Sequence, residues 1–145
     1  MKVIHGDLLT LAKQGQFDVI IHGCNCDCMM GAGIAKQIRE VFPGAYTADK
    51  ATKHLGDAKL GTVSYVAVNG VVVANAYTQL RPGSGTLSYK AIRSCFQRIR
   101  EDYNGYRFGY PRIGAGIAGG DWDTIAAIIN EELAGEDHTL VEYKV

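Results

Sequence analysis

Residues 17–42, with the sequence FDVIIHGCNCDCMMGAGIAKQIREVF, decide the fold because they join an apolar run to a helical pattern through a loop that contains glycine. The run at residues 17–24 is short, apolar and rich in β-branched side chains, which predicts a buried strand. Residues 33–42 then place four apolar side chains on one helical face: Ile34, Ile38, Val41 and Phe42. Pro43 and Gly44 follow and predict the end of this helix. The segment is therefore interpreted as a strand, a loop and a helix.

The rest of the chain repeats this alternation. Strands are predicted at residues 2–5, 62–68, 71–78, 106–110 and 138–145, and helices at residues 45–53, 88–103 and 121–133. Asn69 and Gly70 separate two of the strands and predict a tight antiparallel hairpin, while Asp121 is a predicted cap of the last helix. One hairpin within an alternation of strands and helices predicts an α/β sandwich with a mixed sheet.

The composition limits the classes of function. The 145 residues are enough for a single domain, 1–145, with a core of its own. Fifteen basic and fifteen acidic residues balance, so we expect no direct binding of nucleic acid, which needs a basic surface. No apolar run approaches the length of a membrane span and residues 1–9 lack the apolar core of a signal peptide, so we expect neither membrane association nor secretion.

The four cysteines are interpreted as reduced thiols of a cytoplasmic protein. Cys24, Cys26 and Cys28 lie close together, and Cys95 is remote. Zinc ligands are usually two to four residues apart within a pair, so the one-residue spacing here predicts small apolar filling under the loop and no metal.

Two loops have the same setting between a strand and a helix. The first contains Gly31 and Gly33, and the second is RIGAGIAGG at residues 112–120. Backbone N–H groups at such positions hold phosphate oxygens. The second loop matches the dinucleotide fingerprint, but it comes too late in the chain for that motif. Because loops at the carboxyl ends of strands meet in one crevice, the pair predicts a ligand with a diphosphate.

Four motifs together resemble the macrodomain family: GDLL at residues 6–9, HGCN at 22–25, MGAGIA at 30–35 and PRIGAGIAGGDW at 111–122. The resemblance extends over residues 3–143. It implies a three-layer α/β/α sandwich with a central mixed, mostly parallel sheet of about six strands. It also implies that the ligand is ADP-ribose or a derivative, either free or carried on an ADP-ribosylated macromolecule, and that no cofactor is needed.

The resemblance also implies roles for residues. Asp7 would recognise the adenine amino group, Asn25 would lie beside the distal ribose, and the two glycine loops would enclose the diphosphate. The full set of ligand-binding residues expected on this basis is Asp7, Leu8, Met30, Gly31, Ala32, Gly33, Ile34, Tyr77, Arg112, Gly114, Ala115, Gly116, Ile117, Ala118 and Gly119.

His22, followed by the loop at residues 30–35, resembles the corresponding region of two macrodomain subgroups. These are the terminal ADP-ribose glycohydrolases and the phosphatases that act on ADP-ribose-1''-phosphate. The glycohydrolases use a lysine and an aspartate, but residues 77–80 contain no lysine and residues 116–119 no aspartate. The phosphatase is therefore favoured, with His22, Asn25 and Asp27 as expected catalytic residues. His22 would protonate the leaving ribose oxygen or activate water, Asn25 would fix the ribose, and Asp27 would assist His22 or water.

Several alternatives stay open. The protein could instead hydrolyse ADP-ribosyl or O-acetyl-ADP-ribose bonds, or bind ADP-ribose without catalysis. His22 could be an inward-facing strand residue and Asp27 a turn residue, and Tyr77, Tyr110 and Trp122 fit a pocket or the core equally well. The loop at residues 81–85 is a candidate flap. Two biological roles also stay open, clearance of tRNA-splicing by-products and viral interference with NAD-based signalling, and both belong to NAD metabolism. The expected location is the cytoplasm, or the host cytoplasm if the chain is viral.

Overall fold

The computed structural model describes residues 1–143 and contains one mixed sheet of six strands. The strands are β1 (Lys2–Gly6), β2 (Val19–Asn25), β3 (Val63–Val68), β4 (Val71–Gln79), β5 (Arg107–Tyr110) and β6 (Asp137–Tyr143). Their order in the sheet is β1-β6-β5-β2-β4-β3. All neighbouring pairs are parallel except β3 and β4. The predicted mixed, mostly parallel sheet is confirmed; Lys144 and Val145 of the predicted last strand lie outside the described residues.

The helices are α1 (Leu8–Lys13), α2 (Gly33–Val41), α3 (Pro43–Lys50), α4 (Tyr89–Tyr103) and α5 (Trp122–Glu132), with a 3-10 helix at Lys53–Lys59. Sequence reasoning did not predict α1, which is too short for a helical period to be visible. Pro43 ends α2 as predicted but also begins α3, because proline is tolerated in the first turn of a helix. Within the described residues 1–143, none of the helices is both long and apolar enough to cross a membrane.

Successive side chains of β2 pack into two different hydrophobic clusters, one on each face of the sheet. Val19 and Ile21 pack in a cluster with side chains of α4 and α5, whereas Ile20 packs in a second cluster with side chains of α1, α2 and α3. Successive strand residues point to opposite faces, so a strand covered on both sides is apolar throughout. The three-layer arrangement expected from the resemblance is confirmed.

The hairpin between β3 and β4 has the predicted turn. Val68 pairs with Val71, and the two residues between them have positive φ angles, 50° at Asn69 and 83° at Gly70. Both central residues of a type I′ turn need this conformation, which explains the Asn-Gly pair. The hairpin adds the antiparallel edge strand β3 and leaves the carboxyl ends of β2, β4 and β5 at one edge of the sheet.

Candidate functional site

A cleft of about 470 Å³ lies at this edge, between the two glycine loops. β2 and β4 end there next to each other, with Asn25 paired to Gln79. The cleft is lined by Gly23, Cys24, Asn25, Met29, Met30, Gly31, Ala32, Gly33, Ile34, Ala35, Thr78, Gln79, Pro82, Gly83, Pro111, Arg112, Ile113, Gly114, Gly116, Ile117 and Ala118. We call it the larger pocket.

The side chain of Asn25 shapes the first glycine loop. Its Oδ1 accepts hydrogen bonds from the backbone N–H groups of Asp27 (3.0 Å) and Met29 (3.3 Å), and its Nδ2 donates to the carbonyl of Met29 (2.8 Å). Asparagine commonly closes turns in this way. The loop leads into α2, whose N-cap residue Ala32 makes no side-chain capping bond. The first N–H groups of this helix are therefore available to an anion.

The second glycine loop closes on itself. The N–H of Gly120 donates to the carbonyl of Gly114 at 2.7 Å. Asp121 caps α5 as predicted, because its Oδ2 accepts from the N–H (3.1 Å) and the Oγ1 (2.6 Å) of Thr124. The amino end of α5 is thus already occupied by a carboxylate. The expectation that both helix ends offer their N–H groups in the same way is corrected: the amino end of α5 carries this carboxylate, whereas that of α2 has no side-chain cap.

A smaller pocket of about 330 Å³ adjoins the larger one. It is lined by Gly6, Asp7, Leu8, Ile34, Gln37, Pro111, Arg112, Ala115, Gly116, Val141, Glu142 and Tyr143. Four residues line both pockets: Ile34, Pro111, Arg112 and Gly116. We call these four the waist. The pockets together form one elongated cleft that passes between the glycine loops.

Asp7 and Arg112 have protein partners within this cleft. Oδ1 of Asp7 caps α1 by accepting from the N–H of Thr10 at 3.0 Å. The guanidinium of Arg112 forms a two-pronged ion pair with Glu142, with Nε–Oε1 and Nη2–Oε1 distances of 2.9 and 2.6 Å. The charge of Arg112 is therefore largely balanced within the site. The adenine-binding role of Asp7 stays a prediction.

His22 does not reach the cleft. It is fully buried, and its Nε2 lies 2.6 Å from Oδ1 of Asn75. Nδ2 of Asn75 donates to the carbonyl of Ala45 and to Ser64, so Oδ1 faces His22 and Nε2 of His22 carries the proton. Burial lowers the pKa of His22 to about 4, and the bond to Asn75 opposes this shift only in part. A neutral imidazole is no proton donor at neutral pH, and His22 lines neither pocket, so it does not contact a water there. The catalytic role expected for His22 therefore lacks support from the structure.

Tyr77 and Asp27 are also outside the cleft lining. Tyr77 is fully buried and its hydroxyl donates to Oδ1 of Asp49 at 2.8 Å. Lys59, also buried, contacts the same carboxylate at 3.1 Å and the thiol of Cys28 at 3.2 Å. Asp27 forms an ion pair with Arg81 at 3.2 Å on the surface. Both expectations are corrected: Tyr77 belongs to a buried polar network, and Asp27 ties two loops together.

The structure brings together most of the other predicted residues. The larger pocket contains Asn25, Met30, Gly31, Ala32, Gly33, Ile34, Arg112, Gly114, Gly116, Ile117 and Ala118, and the smaller pocket adds Asp7, Leu8 and Ala115. Gly119 lines neither pocket, and a Cβ added to it would meet Ser84. Gln79 also lines the larger pocket, and the only signal at residues 77–80 of the sequence is the absence of a lysine.

The larger pocket has few groups that exchange protons. Among residues 1–143, its lining includes no histidine, lysine, aspartate or glutamate. Burial raises the pKa of the Cys24 thiol well above its usual range, which keeps this side chain neutral. Thr78 contributes a buried hydroxyl that has no hydrogen-bond partner among residues 1–143. The pocket therefore offers neutral polar groups and backbone amides rather than a general acid or base.

Comparisons with known proteins show the family and agree with the fold. Residues 21–129 match the family model described as Macro domain. The chain is 34% identical to a 17.5 kDa protein of the tk-vs intergenic region of Enterobacteria phage T4, over 99% of this chain and 97% of that protein. It is 28% identical to the ADP-ribose glycohydrolase OARD1 of Bos taurus, over 97% and 88% of the two chains. The solved structure of Thermosipho africanus DarTG in complex with ADP-ribose has the same fold, with a TM-score of 0.81 at 15% identity over 100% of this chain and 42% of that one.

Proposed function

Since the chain belongs to the Macro domain family, whose model matches residues 21–129, we propose that the elongated cleft binds ADP-ribose. The diphosphate lies at the waist, adenosine lies beside Asp7 in the smaller pocket, and the distal ribose lies beside Asn25 in the larger one. One observation carries this proposal. The waist contains Ile34, at the start of α2 directly after the first glycine loop, and Gly116 from the second loop, so a single elongated ligand passes between the two loops.

We further propose that the protein removes the 1''-phosphate from ADP-ribose-1''-phosphate. The larger pocket continues past Asn25 to Gln79, Pro82 and Gly83, which leaves room for a group attached to the distal ribose. Hydrolysis is consistent with the relative named ADP-ribose glycohydrolase. The lysine and aspartate that the resemblance assigns to glycohydrolases are absent from residues 77–80 and 116–119, which favours a phosphate as the leaving group.

Two measurements test these proposals separately. Calorimetry with ADP-ribose, ADP and AMP tests binding, and we expect the affinity to fall in that order as the contacts of the larger pocket are lost. Release of inorganic phosphate from ADP-ribose-1''-phosphate tests the reaction, with glucose-1-phosphate as the control for a contaminating phosphatase. Absence of binding heat with ADP-ribose would reject both proposals, whereas binding without phosphate release would reject only the reaction.

The similarity to OARD1 supports a second candidate, removal of ADP-ribose from modified proteins or of acetate from O-acetyl-ADP-ribose. A panel with an ADP-ribosylated glutamate peptide and O-acetyl-ADP-ribose distinguishes it from the phosphatase. Turnover of these esters with no release of phosphate would assign the second activity. Tight binding with turnover of no substrate would assign a non-catalytic ADP-ribose reader.

A further inference from the structure

The larger pocket lacks the groups that phosphoryl transfer usually needs. Enzymes that break the P–O bond of a phosphate ester surround the phosphoryl group with cations and place a base or an orienting group at the nucleophile. Uncatalysed hydrolysis of phosphate monoesters is so slow that enzymes accelerate it by up to about 10²¹-fold. The described lining of the larger pocket provides one cation, Arg112, and this cation is paired with Glu142.

Cleavage of the other bond to the bridging oxygen, between C1'' and oxygen, requires fewer charged groups in the pocket. Cleavage between C1'' and oxygen passes through an oxocarbenium-like state stabilised by the ring oxygen of the ribose, as in glycoside hydrolysis. The leaving group is then phosphate itself. When the phosphate of the ester already carries one proton, the group that departs is hydrogen phosphate, which carries the electron pair without a general acid from the protein because its conjugate acid titrates near neutral pH. A pocket of neutral polar groups is suited to this route.

The side-chain amide of Gln79 is held at its nitrogen end by the loop that follows β4. Its Nε2 donates to the carbonyls of Arg81 at 2.8 Å and Gly83 at 3.3 Å. Both partners are acceptors, so they fix which end of the amide faces the loop. Among residues 1–143, no donor reaches Oε1 of Gln79. This oxygen is a free acceptor on a side chain that lines the pocket next to Asn25.

On the basis of the proposed phosphatase function, we propose that hydrolysis breaks the C1''–O bond, with the attacking water oriented by Oε1 of Gln79. The electron pair of the C1''–O bond goes to the phosphate oxygen. The oxygen of the water bonds to C1'', and the proton that it loses passes to the departing phosphate. Singly protonated ADP-ribose-1''-phosphate and water thus give ADP-ribose and dihydrogen phosphate, with no other reactant. An amide oxygen accepts a hydrogen bond but does not remove a proton, so Gln79 orients the water and the phosphate is the base.

Hydrolysis in water enriched in oxygen-18 tests which bond breaks. The phosphate is isolated and its isotopic mass is measured, because inorganic phosphate does not exchange oxygen with water on this time scale. We expect phosphate without label. One labelled oxygen in the phosphate would mean P–O cleavage, which overturns this inference and leaves the phosphatase function standing. No phosphate release at all would overturn both.

Substitution tests the role of Gln79. We expect Gln79→Leu to lower kcat by about tenfold or more, as loss of one hydrogen bond to the reacting water requires, with little change in KM or in ADP-ribose affinity. Thr86→Val is the matched control. Thr86 holds the same loop through its hydroxyl, which accepts from the N–H of Arg81 at 2.9 Å and donates to its carbonyl at 3.1 Å.

The Thr86→Val control distinguishes two roles that Gln79 could have, orienting the water and supporting the loop. Thr86→Val loosens the segment that carries Pro82 and Gly83 without removing Oε1 of Gln79, so we expect its kcat to stay within about twofold of the wild type. Equal losses of kcat in the two variants would reject an orienting role for Gln79, as would an unchanged kcat in Gln79→Leu.

Discussion

At the residue scale, the burial of His22 and its hydrogen bond to Asn75 indicate a structural role rather than a catalytic one. Burial lowers its pKa from 6.5 to about 4, so between these values the unfolded chain binds a proton that the folded chain excludes. The free energy of unfolding should therefore be highest above pH 6.5 and should fall by up to about 3 kcal/mol as the pH drops towards 4. Urea unfolding of the wild type and His22→Gln at about pH 7 and about pH 4.5 measures this difference.

The variant keeps an amide donor for Asn75 but does not titrate. We expect its stability to depend less on pH than that of the wild type, whereas His54→Gln, at an exposed position on the 3-10 helix, should retain the wild-type dependence. Burial also lowers the pKa of His138, so some dependence remains in every variant. Parallel pH profiles of the wild type and His22→Gln would contradict a neutral, buried His22.

At the element scale, the second glycine loop contains one glycine that is tightly packed and, four residues before it, another that faces the cleft. A Cβ on Gly120 would meet the carbonyl oxygen of Gly114 at 2.6 Å, Cδ1 of Ile125 at 2.9 Å, and Leu87. Gly116, by contrast, has open space around its Cβ position and lines the waist. Gly120→Ala should therefore destabilise the fold by about 1–3 kcal/mol through overpacking.

Gly116→Ala is the matched control, and it should leave the stability to urea nearly unchanged while weakening ADP-ribose binding by roughly tenfold, about 1.4 kcal/mol. The reason is that its methyl group would occupy the path of the diphosphate. Calorimetry and urea unfolding on both variants measure the two effects. Unchanged affinity in Gly116→Ala would mean that the diphosphate does not pass through the waist.

The elements and loops differ in how far the sequence could predict them. The strand-loop-helix segments, the Asn69-Gly70 hairpin and the Asp121 cap depend on residues a few positions apart, so local patterns were sufficient. The positions of His22 and Asp27 depend on distant partners, Asn75 and Arg81. β2 is buried on both faces, and its alternation therefore does not reveal which side chains face the cleft and which face the core. The free acceptor of Gln79 exists only because the loop after β4 turns back on its amide.

At the scale of the whole molecule, the cleft connects the two layers of helices. The first glycine loop leads into α2, whose Ile38 packs in the cluster on one face of the sheet, and the second leads into α5, whose Ile125 packs in the cluster on the other face. A ligand held by both loops therefore links both clusters. At a ligand concentration 100 times its Kd, binding to the folded state alone adds about 2.7 kcal/mol to the free energy of unfolding.

For a chain of this length, we expect saturating ADP-ribose to raise Tm by roughly 5–10 °C. Amide hydrogen exchange should slow in both loops, at residues 30–34 and 114–118, because the diphosphate contacts both. AMP, which lacks the distal ribose and one phosphate, should protect the residues around Asp7 and Gly116 but leave residues 30–33 near their unliganded rates. Thermal unfolding and exchange measured by mass spectrometry check these outcomes. Protection of a single loop by ADP-ribose would contradict a ligand that spans the waist, even if Tm rises.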